Sequence, residues 1–222
     1  MHIPESKILP SMFMKSSFCL LPGFQAAFVV IPKNAITFLK KLAIYFRTDE
    51  IIENKDNEVH KIVGYHNASS TYLVPVSQMP QYEKENGRIL KFAVWRDPVK
   101  RFISCYKYFC LERNYDPYFH YVDLYQNSSV EYFLNFVGLE LSKSNPEYQN
   151  EHLRRQSDFY QPDDVDFIVP LNKLNRFLTE HEIPLIEDKA NTTSVKFELN
   201  SSKWEEKIKE LYQADYNIKV NY

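Results

Sequence analysis

The sequence predicts an α/β fold, with a mainly parallel sheet flanked by helices in a single domain over residues 1–222, and three observations carry that expectation. Short β-branched or aromatic runs alternate with stretches whose apolar residues recur at helical spacing, the pattern of strand-helix-strand units. At two of these units the strand passes through a few polar residues directly into a helix, so a helix N-terminus follows a strand end. The 222 residues, 44% hydrophobic and 25% charged, suit one substantial core and argue against a disordered chain.

Taken in order, residues 1–26 read as an N-terminal lead segment. Lys15 and the apolar stretch from Phe18 to Ile31 resemble a leader or anchor, but Pro22, Gly23 and Gln25 interrupt the stretch. A spanning helix needs about 20 predominantly apolar residues, so no transmembrane segment is expected and the chain reads as soluble and unprocessed. Phe28 to Ile31 is the first predicted strand, and Ala35 to Phe46 a helix with Phe38, Leu39, Leu42 and Phe46 on one face. Asp49 to Asn57, polar and charged, reads as an exposed loop. Leu90 to Trp95 is the second strand. In the helical run that follows, to about Leu111, Asp97 suits the N-cap, Pro98 the first helical position, and Val99, Phe102, Ile103 and Tyr106 form a core stripe. Further helices are predicted at Val130 to Leu139, Leu171 to Glu182 and Trp204 to Tyr212, and a strand at Val165 to Val169. There is no internal repeat or low-complexity tract. Ligands of such a sheet bind beyond the carboxyl ends of its strands.

Composition excludes several function classes. With Lys+Arg 27 against Asp+Glu 29, the net charge of −2 supplies no global field toward nucleic acid or an anionic membrane, so any anion site must be local. The 4 glycines, Gly23, Gly64, Gly87 and Gly138, are too far apart to form a Walker loop or a dinucleotide fingerprint. The 3 cysteines, Cys19, Cys105 and Cys110, lack CxxC or Cys/His spacing, which points away from a disulfide framework or structural zinc and toward a reducing compartment. His60, His66, His120, His152 and His181 are scattered, and no metal is expected. The sequons at Asn67, Asn127, Asn191 and Asn200 are inert in a chain without a leader.

Two segments carry candidate chemistry. Pro32-Lys33-Asn34-Ala35-Ile36-Thr37 lies between predicted strand and helix, where backbone N–H groups and the helix dipole favour an anion. Lys33 adds a mobile charge and Thr37 a hydroxyl, giving a P-loop-like phosphate-binding strand-loop-helix without the glycines. Taken alone, it equally fits an ordinary exposed Pro-Lys turn. The second segment has Arg96 at a strand end and Ser104 seven residues beyond Asp97, nearly the same helix face, with Arg101 in the turn between. These side chains suit a second phosphate; they also fit a carboxylate pair, a neutral surface serine and an arginine lying over the core.

Together the segments resemble the sulfotransferase superfamily, in which a Pro-Lys-x-x-x-Thr loop binds the 5′-phosphosulfate of 3′-phosphoadenylyl sulfate and an Arg-Asp-Pro segment with a following Ser binds the 3′-phosphate. The run from Phe92 through Arg96-Asp97-Pro98 to Ser104, the segment Asn150-Glu151-His152-Leu153-Arg154-Arg155-Gln156, Val165-Asp166-Phe167-Ile168 and the tail Leu211 to Tyr216 are similar to its carbohydrate branch. The resemblance covers roughly Phe28 onward. It implies that Pro32, Lys33, Asn34, Ala35, Ile36, Thr37 and Phe38, with Arg96 and Ser104, bind the donor. His66, in Gly64-Tyr65-His66-Asn67, is similar to the catalytic histidine of uronyl 2-O-sulfotransferases, although a loop histidine with local hydrogen bonds is an equal reading. His152, beside Glu151, is the second candidate base. His152, Arg154 and Arg155 are the candidate acceptor ligands, the alternative being a solvated helix face.

The chain departs from the Golgi relatives in lacking cysteines within Phe159 to Asp164 and an anchor and stem, so a bacterial-type cytoplasmic enzyme is the expectation. Leu153 stands where the family usually has Trp, and acceptor identity does not carry over. The reaction implied is in-line transfer of a sulfuryl group to a carbohydrate or polysaccharide hydroxyl, Lys33 stabilising the leaving oxygen, with no metal. The alternatives are a noncatalytic glycan- or nucleotide-binding protein of the same fold, and a phosphotransferase, disfavoured by the missing Walker loop and acidic metal motif. The 16 Tyr, 16 Phe and 2 Trp are expected mostly in the core, Tyr106, Tyr108 and Phe109 among them.

Overall fold

In the computed structural model, which describes residues 15–52, 56–64, 70–111, 128–187 and 196–222, the chain enters the sheet earlier than expected. Strands β1 (Ser17–Leu21) and β2 (Ala26–Val29) form an antiparallel hairpin inside the stretch read as a lead segment. Its turn is the Pro22-Gly23-Phe24-Gln25 interruption: Gly23 takes φ +84, which a glycine adopts without a Cβ clash, and the Phe24 N–H donates to the Leu21 carbonyl at 3.2 Å.

The remaining elements follow as α1 (Ile36–Thr48), α2 (Asp56–Val63), β3 (Leu73–Pro75), α3 (Met79–Asn86), β4 (Leu90–Trp95) and α4 (Pro98–Tyr106). A π-helical turn, Lys107–Leu111, extends α4. Then come α5 (Val130–Leu141), β5 (Phe167–Pro170), α6 (Leu174–Glu180), α7 (Ser202–Leu211) and α8 (Gln213–Tyr216). The helix predicted to Leu111 therefore has the expected extent but changes its winding in its last five residues. The region read as a loop to Asn57 is already helical from Asp56.

The sheet has the order β3-β1-β2-β4-β5. The three strands predicted from sequence are its parallel half, β2 beside β4 and β4 beside β5, with Phe28 opposite Phe92 and Val94 opposite Val169. The unpredicted β1 and β3 add two antiparallel pairings, so the sheet is mixed where a mainly parallel one was expected. Every residue of β2 is buried, which accounts for its unbroken apolar run.

The residues fall into two compact units. One comprises the described residues of 15–96, 159–191 and 219–222, and holds the whole sheet. Its core joins Phe28, Phe92 and Val94 of the sheet to Leu39 and Leu42 of α1 and to Leu174, Phe177 and Leu178 of α6. Burying each such side chain contributes about 1.5–3 kcal/mol. The other comprises the described residues of 97–158 and 192–218. There Phe102, Tyr106, Phe109, Phe133, Phe136, Ile208 and Tyr212 form a second core, with α4 and α5 both against α7. Asp97 caps α4 as predicted, accepting from the Lys100 N–H at 2.9 Å, with Pro98 in the first turn.

The start of β4 is fixed by Glu83 of α3, whose Oε1 accepts from Lys91 Nζ at 2.7 Å and from the Ile89 N–H at 3.0 Å. Burial pushes the Glu83 carboxyl up, but the Lys91 hydrogen bond, the Ile89 N–H and the Lys91 charge together hold it below the usual carboxylate range. A depressed folded-state pKa stabilises the fold above the unfolded value of about 4.3, and that contribution is lost as pH falls through the lower folded value. Glu83→Gln should therefore lower the melting temperature at pH 7 and narrow its difference from wild type below about pH 4, as read by thermal melts across pH.

Candidate active site

β2 and β4 are adjacent and parallel, so the connection from β2 to α1 and the residue just after β4, Arg96, leave the sheet at the same edge. The connection is short. Val30, Ile31 and Pro32 are buried, Lys33 is half-buried with φ +70, Asn34 is only 2% exposed, and Ala35 has φ +60. Lys33 and Ala35 thus occupy the left-handed region, which costs a residue bearing a Cβ about 1–2 kcal/mol. Two hydrogen bonds to β4 and its end hold the turn against that cost. The Asn34 Nδ2 donates to the Val94 carbonyl at 2.6 Å, and the Arg96 Nη1 donates to the Lys33 carbonyl at 2.7 Å.

The consequence appears at the start of α1. Ala35 occupies the N-cap position, where a methyl group accepts nothing, and the first turn carries no acidic residue. The N–H groups of Ile36, Thr37 and Phe38 therefore receive no cap from the Ala35 side chain, and no first-turn carboxylate offsets the positive end of the helix dipole. The Lys33 ammonium and the half-buried Thr37 hydroxyl flank this end in sequence. Such a set of donors suits a phosphate or sulfate oxyanion.

α4 behaves differently. Its N-terminus is occupied by the Asp97 carboxylate, so it offers no bare helix end to an anion, and the donors left in this part of the chain are side chains. Ser104, half-buried, is one. Arg101 is not: it is 2% exposed, and its guanidinium donates to the Arg154 carbonyl at 2.8 Å and the Glu151 carbonyl at 3.4 Å.

The segment Asn150 to Gln156 is gathered by such bonds. Cys105 Sγ donates to the His152 carbonyl at 3.1 Å, the Tyr212 hydroxyl to the Leu153 carbonyl at 2.8 Å, and the His152 N–H to Asn150 Oδ1 at 3.0 Å. The half-buried His152 ring stacks on Tyr108, 5.6 Å between centroids and 13° between planes, with Phe109 edge-on at 5.4 Å. The π-helical turn thus brings two consecutive aromatic rings to one imidazole.

One reading of this segment needs correction. Arg154, expected to face an acceptor or solvent, is 0% exposed, and burial lowers the pKa of its guanidinium against the nearby charges of Glu151, Glu147 and Asp158. An internal cation cannot meet an acceptor at the surface. Arg155 Nε donates to the Leu211 carbonyl at 2.9 Å, so this arginine ties the segment to the end of α7.

Of the site residues read from sequence, Pro32 to Phe38 and Arg96 belong to the sheet-bearing unit, while Ser104, His152, Arg154 and Arg155 belong to the other. His66 lies outside the described residues. The inward-facing Asn34 side chain was not foreseen: the sequence marks Asn34 as part of an anion-binding loop, and no spacing rule reveals that its carboxamide turns toward β4. Among the described residues, no group of His, Cys, Asp or Glu is arranged to hold a metal ion, and no helix is long and apolar enough to cross a membrane.

Comparison with known proteins gives the family of the chain. The model of the sulfotransferase family matches residues 17–218, a span that takes in the β2–α1 loop, Arg96, Ser104 and the Asn150 to Gln156 segment. No curated protein and no solved structure matches the chain. With its strand, its uncapped helix and its Arg-Asp-Pro segment lying in order within a match that runs over nearly the whole sequence, the chain belongs to the sulfotransferase family.

Proposed function

We propose that the protein transfers a sulfuryl group from 3′-phosphoadenylyl sulfate to a hydroxyl of a carbohydrate acceptor. The observation that carries this reading is the uncapped N-terminus of α1 behind a lysine whose carbonyl is held by Arg96. In this reading the N–H groups of the Pro32 to Phe38 loop and the Thr37 hydroxyl hold the 5′-phosphosulfate, and Arg96 and Ser104 take the 3′-phosphate. The sequence similarity of residues 92–104 and 150–156 to the carbohydrate branch supports a sugar acceptor. The buried thiols of Cys19, Cys105 and Cys110 accord with a reducing, cytoplasmic setting.

The step itself is an in-line displacement. The acceptor oxygen forms its bond to sulfur as the bond from sulfur to the bridging phosphate oxygen breaks, leaving negative charge on that oxygen. Lys33 neutralises the charge, and His66 accepts the proton of the acceptor hydroxyl. His152, its ring held by Tyr108 and Phe109, is the second candidate for that proton and the acceptor-side residue of this scheme. Incubating the protein with a panel of glycans and donor carrying radioactive sulfur, in the presence of a chelator, tests the proposal. Label should appear on a glycan. Phosphorylation of the same panel from ATP and magnesium, with no sulfur transfer, would identify a phosphotransferase instead.

Three further outcomes are expected. Arg96→Ala should weaken calorimetric binding of 3′-phosphoadenosine 5′-phosphate by about 1.5–3 kcal/mol, the worth of a charge-assisted hydrogen bond, and unchanged affinity would remove Arg96 from the nucleotide site. Lys33→Ala should lose far more turnover than product-nucleotide affinity, because the ammonium acts chiefly on charge that develops during transfer. Equal losses would make Lys33 a ground-state contact. His66→Ala should keep its circular-dichroism spectrum and nucleotide binding while turnover falls by about 10²–10⁴-fold and the acidic limb of the pH–rate profile disappears. A near-normal rate in that variant moves the role to His152, whose alanine variant then shows the selective loss.

A further inference from the structure

We infer that Asn34 is a positioning residue for Lys33, acting through the Val94 carbonyl rather than on the donor. The inference rests on the reading of the loop as the sulfuryl-donor site. Asn34 sits between the two left-handed residues Lys33 and Ala35, and its side chain is almost wholly buried. A carbonyl oxygen can only accept, so the carboxamide presents Nδ2 to Val94, 60 residues away in sequence, at 2.6 Å. The bond fixes the middle of the loop to the interior of β4, while Arg96, beyond the end of the same strand, fixes the Lys33 carbonyl. The backbone is therefore pinned at the Lys33 carbonyl and again at the next residue. Without the Asn34 bond, Lys33 and Ala35 are free to relax from the left-handed region, which for residues bearing a Cβ is downhill. The ammonium then samples positions away from the leaving oxygen, and a displacement of about 1 Å at a reacting centre can cost 10²-fold. A purely structural asparagine would affect stability and leave the turnover of folded molecules intact.

The test compares wild type with Asn34→Ala and with Asn34→Asp, which keeps the size and loses the donor. The expected result is a kcat at least tenfold lower, with the donor KM changed less than threefold and a folded circular-dichroism spectrum. Adding Ala35→Gly to Asn34→Ala should restore part of kcat, because glycine enters the left-handed region at little steric cost. Undiminished kcat in the folded variants, or a loss that Ala35→Gly does not relieve, overturns the inference. A separate readout requires neither activity nor a variant: in the wild-type protein the Asn34 carboxamide protons should exchange with solvent slowly, as followed by nuclear magnetic resonance, and exchange at the rate of an exposed asparagine overturns the inference. Absence of sulfuryl transfer by wild type, with those protons protected, counts against the functional reading and leaves the brace standing.

Discussion

The connection between β2 and α1 keeps its shape through two hydrogen bonds to β4 and its end, from Asn34 to Val94 and from Arg96 to Lys33. Left to itself, a stretch with two left-handed residues bearing side chains would relax toward right-handed or extended backbone. Held as it is, it ends at Ala35, leaves the first turn of α1 without a side-chain cap, and sets Lys33 at the carboxyl edge of two parallel strands. Glycine-rich loops reach a similar end by letting the backbone approach the anion. Here the left-handed turns are made by non-glycine residues, and cross-strand hydrogen bonds stabilise what glycine would have made inexpensive.

The second unit uses the same device on a larger scale. Arg101, Tyr212 and Cys105 each donate to a carbonyl between Glu151 and Arg154, so a segment with little regular structure is fixed by side chains reaching from helices. Burial drives the Tyr212 hydroxyl well above its ordinary range and the Cys110 thiol up to about 12, which marks them as neutral parts of the interior. What this scaffold displays is the His152 ring, stacked on Tyr108 and met at its edge by Phe109. A π-helical turn between Lys107 and Leu111 suits this purpose, since such turns often interrupt a helix where function sets side-chain placement.

Much of this was legible in the chain. β2, β4 and β5 could be read because strands buried in a parallel sheet leave continuous apolar runs. The Asp97 cap and Pro98 were legible because capping chemistry is local. β1 was hidden for the opposite reason: Ser17 to Leu21 runs into the next strand as one apolar stretch, and Pro22-Gly23 looks like damage to a single segment when it is a hairpin turn. Three-residue β3 is too short for any periodicity. The adjacent Arg154 and Arg155 read as acceptor ligands or a solvated face because arginine is seldom wholly buried, and only the fold shows that Arg154 lies in the interior while the half-buried Arg155 reaches the end of α7. Likewise, the motif marks where the loop is, but the direction of the Asn34 side chain depends on a strand 60 residues away.

In the proposed scheme the braced loop and Arg96 hold two separate phosphates of one nucleotide. Calorimetric titration of the intact protein with 3′-phosphoadenosine 5′-phosphate and, in parallel, with adenosine 5′-phosphate addresses this directly. The first ligand should bind at least tenfold more tightly than the second, since a charge-assisted contact to the 3′-phosphate contributes about 1.5–3 kcal/mol. Equal affinities, or no binding of either ligand, would contradict the two-phosphate assignment.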